Sequence, residues 1–199
     1  DPFKVIPYLI DDPEKIKSKI DEIKRSCDRI AKIVSGLKKF SRTGTTREFI
    51  QHSLLDIANE AIALTAAKSG EFNVPINIES TGAGLIKCDE VEIEQVLVNL
   101  INNSIYAVKN YPEKWVKIAL QDDPQAVVLR VIDSGPGIPE NIRKKLFDPF
   151  FTTKKVGEGT GLGLSISKGI LDEHGATILV VADCPNTCFE VRFLKPEKK

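Results

Sequence analysis

Residues 89–108 read DEVEIEQVLVNLINNSIYAV. Ile93, Val96, Leu97, Leu100, Ile101 and Val108 fall at helical spacing, the apolar stripe of a helix that buries one face. The opposite face carries Gln95, Asn99 and Asn103 at i, i+4 and i+8, with Asn102 and Tyr106 beside them. Asn is a poor mid-helix residue because its amide competes for backbone hydrogen bonds. Each one costs on the order of 0.5 kcal/mol relative to Ala. A solvated face is built more cheaply from Glu or Lys. Carboxamide oxygens are neutral ligands for a hard cation, and Mg²⁺ takes oxygen ligands while bridging to substrate phosphates. A polar surface biased to Asn and a row of cation-facing amides both satisfy the pattern.

Three stretches downstream bear on that choice. VIDSGPGIP (131–139) places Asp133 where a strand gives way to a Gly135-Pro136-Gly137 turn. An ionised carboxylate at the base of a pocket accepts from an exocyclic amine such as that of adenine. Glycines beside it let a planar ring lie close to the backbone. A plain Asp-Ser-Gly turn is the other reading. FDPFFTTKK (147–155) sets Phe147, Phe150 and Phe151 beside Thr152, Thr153 and Lys154. The rings suit the anchor of a mobile lid whose hydroxyls and amine face phosphates, or a hydrophobic plug with polar neighbours. GEGTGLGLSIS (157–167) then runs Gly159-Thr160-Gly161-Leu162-Gly163 straight into a helix. It fits neither G-x-G-x-x-G nor G-x-x-x-x-G-K-[ST], yet its N–H groups and positive helix end suit an anion.

The chain has 199 residues, 42% hydrophobic and 28% charged, with 28 basic and 28 acidic side chains. That balance suits a globular protein and gives no support to nucleic-acid binding. No apolar run approaches the ~18 residues of a membrane span, and no signal peptide opens the chain. It contains no Met, so it reads as a piece of a longer protein whose remainder carries any membrane span or sensor. The four cysteines, Cys27, Cys88, Cys184 and Cys188, lack zinc-site spacing. Cys184 and Cys188 flank a turn and read as reduced thiols across a hairpin, or as a redox pair.

Two regions are expected. Ile16, Ile20, Ile23, Cys27, Ile30, Val34 and Leu37 step by 4, 3, 4, 3, 4, 3, a heptad seam over a helix of about 14–42. Such a seam needs partner helices, unless the helix simply packs on its own domain. SRTGTT (41–46) reads as a linker. From 49 to 199 helices and strands alternate. A helix begins at a Ser53 cap and closes at Gly70, another spans Asp89 to about Lys109, and a third runs from about Gly161 to His174. Strands are expected at 74–80, 84–88, 115–120 and 126–133, then loop from 134 to Gly159, and a hairpin of 177–183 and 188–194. The class is α+β, a two-layer sandwich with helices on one face of a mixed sheet.

NLINNSIYAV, DSGPGI, DPFFTTK and GTGLGLSI, in that order, resemble the N, G1, F and G2 boxes of the sensor histidine kinases, from about Asp89 to Phe193. The Asn-Ser-x-x-Ala and FFTTK forms look most like the nitrogen-regulation type. RIAKIVSGLKKFSR resembles the second helix of the family's dimerisation and phosphoacceptor hairpin, two of which form a four-helix bundle. The resemblance implies a Bergerat-type ATP-binding fold over 49–199, and over 1–48 a partial hairpin whose first helix is missing. It implies Asn103 as Mg²⁺ ligand with Asn99 assisting, and Asp133 as the adenine carboxylate. Gly135 and Gly137 shape the adenine pocket, Ile138 and Tyr106 are implied to bind ATP, and Thr187 corresponds more loosely to a polar pocket residue. Phe150, Thr152, Thr153 and Lys154 belong to the lid. Gly159, Thr160, Gly161, Leu162, Gly163 and Leu164 form the triphosphate loop.

The implied activity is ATP-dependent transfer of the γ-phosphoryl to a His, then to an Asp of a response regulator's receiver domain. The implied whole is a homodimer, cytoplasmic in this part, attached to a membrane only through segments outside these residues. The family's phosphoacceptor His lies on the first hairpin helix, beside an acidic residue. His52 and His174, the two histidines here, lack that setting. His174 sits where a helix C-terminal cap is expected. A chain without the acceptor binds Mg-ATP but does not phosphorylate itself. The alternative is a His-lacking nucleotide-sensing scaffold or Ser-directed kinase on the same fold. An ATP-gated clamp of the gyrase or chaperone kind would need a general base that no residue here offers.

Overall fold

The computed structural model describes residues 14–20, 49–155 and 158–195. The chain divides into two compact units, Asp1–Thr46 and Arg47–Lys199. In the first, residues 14–20 are helical, and the seam positions Ile16 and Ile20 are exposed. The seam from Ile23 to Leu37, Cys27 and the 41–46 linker lie outside the described residues.

The second unit opens with strand β1 (Ile50–Ser53), which pairs antiparallel with β3 (Leu85–Cys88) in a two-stranded ribbon. Helix α1 (Leu54–Phe72) follows, and Ser53 Oγ caps it by accepting from Asp56 N–H at 3.2 Å. The helix does not close at Gly70 as expected. It continues to Phe72 and ends at Asn73, which takes the left-handed conformation at φ 52°. Asn73 N–H bonds Gly70 O and Val74 N–H bonds Ser69 O, so the last carbonyls are satisfied two residues later than the glycine suggests.

Strands β2 (Ile76–Ser80), β4 (Val116–Asp122), β5 (Ala126–Asp133), β6 (Ala176–Val180) and β7 (Thr187–Leu194) form one sheet in the order β2-β4-β5-β7-β6. β2 runs parallel to β4 and the other pairs are antiparallel, giving the mixed sheet expected. Alternation along the strands sends Ile118, Leu120, Leu129, Val131, Phe189 and Val191 into the core. They meet Leu54 and Ile57 of α1, Leu97, Leu100 and Ile101 of α2 (Glu90–Val108), and Leu171 of α4 (Gly163–Glu173). Each such side chain contributes roughly 1.5–3 kcal/mol on burial.

The opposite sheet face sets charged side chains beside the buried Val128 and Cys188. Glu190 is only 6% exposed, and its carboxylate binds Arg130 at 2.8 Å and Arg192 at 3.1 Å. A four-residue helix, α3 (Glu140–Arg143), stands in the 134–159 stretch expected to be loop. It is set off by Pro139, whose carbonyl accepts from Ile142 and Arg143. Cys88, Cys184 and Cys188 are free thiols, and burial pushes Cys188 up to about 12 and Cys88 up to about 11.

Candidate functional site

Asp133 is the last residue of β5, in register with Val116 of β4 and Thr187 of β7. It is 1% exposed. Gly135 N–H donates to its Oδ1 at 2.9 Å. A Cβ at Gly135 would stand 2.7 Å from that oxygen and 2.9 Å from Thr187 Oγ1, so the turn admits no side chain there. Gly137 takes φ +84°, which an L side chain rarely adopts. Burial raises the Asp133 carboxyl above the usual carboxylate range, against the Gly135 N–H and the Ser104 and Thr187 hydroxyls beside it. Ser104 Oγ, also buried, makes no hydrogen bond of ordinary geometry. A desolvated carboxylate beside a buried hydroxyl fits a planar ligand edge carrying both a donor and an acceptor.

The preceding residue of α2, Asn103, faces a second cluster. Asn103 Nδ2 donates to Asn99 Oδ1 at 3.4 Å, and Asn99 Nδ2 donates to Ser167 Oγ at 2.9 Å. A Cβ on Gly163, the first residue of α4, would collide with Asn99 Oδ1, so the start of that helix rests directly on the carboxamide. Leu162 caps α4 without a side-chain acceptor, leaving its first N–H groups for an external one. Lys154 Nζ donates to Asn103 Oδ1 at 2.8 Å and lies 4.5 Å from the centre of the Tyr106 ring. Lys109 Nζ lies 4.0 Å from the same ring, and Tyr106 O–H donates to Glu158. That bond draws the Glu158 carboxyl below its usual range and the Tyr106 phenol above its own.

The glycine-rich stretch folds back on the threonine-lysine stretch. Thr152 Oγ1 accepts from Lys154 N–H at 3.1 Å, and a Cβ at Gly159 would lie 2.9 Å from that hydroxyl. Thr160 Oγ1 accepts from Leu162 N–H at 3.3 Å. Gly161, at φ +67°, rests its α-carbon on the backbone of Phe150, where a side chain has no room.

The four stretches singled out in the sequence therefore meet, but one expectation changes. Phe150 does not anchor the loop through its ring. It is 68% exposed at φ 67°, and its contribution is the backbone surface that receives Gly161. Phe147 is the ring that packs on the core, as do Ile138 and Leu164, while Thr153 is exposed. Ser104, Ser167, Lys109 and Glu158 were not singled out. Ser104 follows Asn103 on the same helix and Ser167 closes GLGLSIS, so both stood within legible motifs. The reach of Lys109 and Glu158 to Tyr106 has no sequence signal.

Among the described residues no cluster of three His, Cys, Asp or Glu side chains is placed to hold a metal. The Asn oxygens are the available hard donors, and Asn103 Oδ1 already receives an ammonium, so this donor set fits a cation that completes its shell on phosphates. Among the described residues no helix is long and apolar enough to cross a membrane.

Residues 88–198, more than half of the chain, match the family described as histidine kinase-, DNA gyrase B-, and HSP90-like ATPase. The sensor kinase CckA of Brucella abortus is 37% identical over 174 residues, 80% of this chain and 18% of that protein. The nucleotide-free catalytic domain of histidine kinase ThkA is similar at a TM-score of 0.66 and 35% identity, over 75% of this chain and 99% of that one. ThkA in complex with the response regulator protein TrrA is similar at a TM-score of 0.74 and 29% identity, over 98% of this chain and 58% of that one. The chain spans 18% to 28% of the length of the first two curated relatives it matches.

Proposed function

The chain belongs to the histidine kinase-, DNA gyrase B-, and HSP90-like ATPase family, and from that premise we propose that it is the Mg-ATP-binding catalytic region of a sensor histidine kinase. The observation that carries this reading is the convergence on one helix. Ser104 of α2 faces the buried Asp133, while Asn103 and Asn99 face Lys154 and the start of α4.

Asp133 accepts from the exocyclic amine of adenine, and the buried Ser104 hydroxyl stands beside that carboxylate. Gly135, Gly137, Ile138 and Thr187 shape that pocket, while Tyr106, beside Lys154 and Glu158, borders the phosphate side. The triphosphate lies toward the N–H groups of Gly159–Leu164 and the positive end of α4, with Lys154, Thr152 and Thr153 supplying a cation and donors. Asn103, with Asn99, would hold Mg²⁺, which when bound supplies charge neutralisation across the phosphates. The remaining task of this chain is orientation and exclusion of water, because phosphoryl transfer asks little covalent chemistry of the protein.

The acceptor is proposed to be a His outside this chain, on the first helix of a dimerisation hairpin whose second helix is the one the heptad seam leads us to expect from about residue 14. Both histidines here have other engagements. His52 Nδ1 lies 3.4 Å from Glu90, and both nitrogens of His174 are committed to backbone. The phosphoryl then passes to an Asp of a receiver domain, the kind of partner seen with ThkA. The whole protein acts as a homodimer, cytoplasmic in this part. The test is nucleotide binding by calorimetry. Micromolar Mg-ATP affinity is expected, lost in Asn103→Ala and Asp133→Ala; unchanged affinity in either variant contradicts the assignment of that residue.

A further inference from the structure

His174 takes no part in the contacts of the nucleotide cluster, yet it joins three elements at the far end of α4. Its Nδ1 lies 2.7 Å from Ile170 O. A carbonyl only accepts, so Nδ1 carries the proton. Its Nε2 is then bare, and it accepts from Asp89 N–H at 3.0 Å. Asp89 is the N-cap of α2, and its own Oδ1 accepts from Glu92 N–H at 3.2 Å. The ring also stacks on Phe49, with centroids 4.3 Å apart and planes 18° from parallel. Phe49 immediately precedes β1, on the side of the chain that continues into the N-terminal unit.

α4 is thus pinned to α2 at two places. At its start, Gly163 rests on Asn99 and Ser167 accepts from the Asn99 amide. At its end, His174 holds the first turn of α2. Gly163–Glu173 spans 11 residues, so the two pins are about 16 Å apart at 1.5 Å per residue. One pin allows α4 to slide or pivot; two fix its register along α2.

We propose that His174 is a positioning residue. It sets the register of α4 against α2, and so the placement of the glycine-rich turn over Asn99 and Asn103, while Phe49 stacks on its ring. This inference rests on the nucleotide reading above. Coupling is reciprocal, so whatever orders the turn also acts on the ring.

The test uses the wild-type chain and two variants. In the ¹⁵N-labelled wild type, the His174 ring signals are followed while Mg²⁺ and a non-hydrolysable ATP analogue are titrated. The free protein should show a protonated Nδ1 and an acceptor Nε2, and both signals should shift on saturation. His174→Phe keeps a ring for Phe49 but leaves Asp89 N–H without its acceptor. Affinity for the Mg-bound analogue, measured well below the variant's Tm, should fall about tenfold. His174→Gln restores an acceptor and should recover to within about threefold of wild type. Unmoved ring signals, wild-type affinity in His174→Phe, or equal loss in both variants each overturn the proposal. A wild type that binds no analogue refutes the nucleotide reading instead. The register is then read from the Asn99 carboxamide signals of free His174→Phe, which must move from their wild-type positions.

Discussion

The Lys154 ammonium donates to Oδ1 of Asn103 at 2.8 Å, so a cation of the protein's own already rests on the oxygen proposed to bind metal. Lys154 must leave that oxygen for Mg²⁺ to reach it, and a phosphate is its natural alternative partner. Lys154→Met keeps the apolar stem and removes the charge. Nucleotide affinity should then fall about tenfold both in Mg²⁺ and in chelator. The Mg²⁺ needed for half-maximal binding should drop, because the competitor is gone. Titrations of Mg²⁺ at fixed nucleotide measure this; an unchanged midpoint contradicts competition at Asn103.

Asp133 should show function opposing stability. Burial raises its carboxyl above the unfolded value. At neutral pH the folded state therefore carries a charge it disfavours, and that cost is relieved as pH falls through the raised folded pKa. Asp133→Asn should raise Tm at pH 7, about 2–4 °C if it recovers about 1 kcal/mol. It should also lose most of the gain in stability that wild type shows on mild acidification. Nucleotide affinity should fall tenfold or more, since an amide offers only one acceptor in the wrong balance (about 1–3 kcal/mol for a mismatched buried partner). Thermal melts across pH, with calorimetry on the same samples, separate the two effects.

Two glycines of α4 should respond in opposite directions. A Cβ at Gly163 strikes the Asn99 carboxamide, whereas one at Gly169 meets nothing within 4 Å. Gly163→Ala should cost about 1–3 kcal/mol by overpacking and weaken nucleotide binding by displacing Asn99. Gly169→Ala sits in an open helix interior and should stabilise by about 0.5–1 kcal/mol with binding unchanged. Urea denaturation of the pair is decisive, because a loss of similar size in both would contradict the packing of Gly163 on Asn99.

The charged side chains of the opposite sheet face should govern acid stability. Burial alone pushes Glu190 up, but its bonds to Arg130 and Arg192 outweigh that and hold its carboxyl below the usual range. A depressed folded pKa gives stability that is present above the unfolded value, about 4.3 for Glu. It is lost as pH falls through the folded value. Glu190→Gln should flatten the stability profile below about pH 4.3. Arg130→Met should cost about 1–3 kcal/mol at neutral pH, less than a fully buried pair, since Arg192 remains.

Most of the strands and both site-bearing helices were legible because their periods leave a pattern in the residues, whereas the order of the strands in the sheet was not. Ile93 to Val108 mark one face of α2, and alternation in AVVLRVID marks β5. The glycine motifs were legible because tight backbone approach excludes other residues, as at Gly135 and Gly161. What escaped was set by tertiary context. IQHS has no strand pattern, and β1 exists because Leu85–Cys88 offers it an edge. Gly70 resembled a helix stop, yet Asn73 takes the left-handed position, and the N–H groups of Asn73 and Val74 close the helix on Gly70 O and Ser69 O. The F of the FFTTK stretch promised a ring anchor, and the fold uses the backbone of Phe150 instead. Ser104 mattered only once β5 brought Asp133 beside it.

The central claim is that this chain presents ATP to a histidine it does not itself contain. The most direct measurement mixes it with γ-labelled ATP, Mg²⁺ and the phosphoacceptor helix of the full-length protein. Acid-labile label should appear on the histidine of that helix, none on His52 or His174, and Asn103→Ala should abolish it. No transfer to histidine, or acid-stable label on Ser or Thr of a protein substrate, would contradict the account.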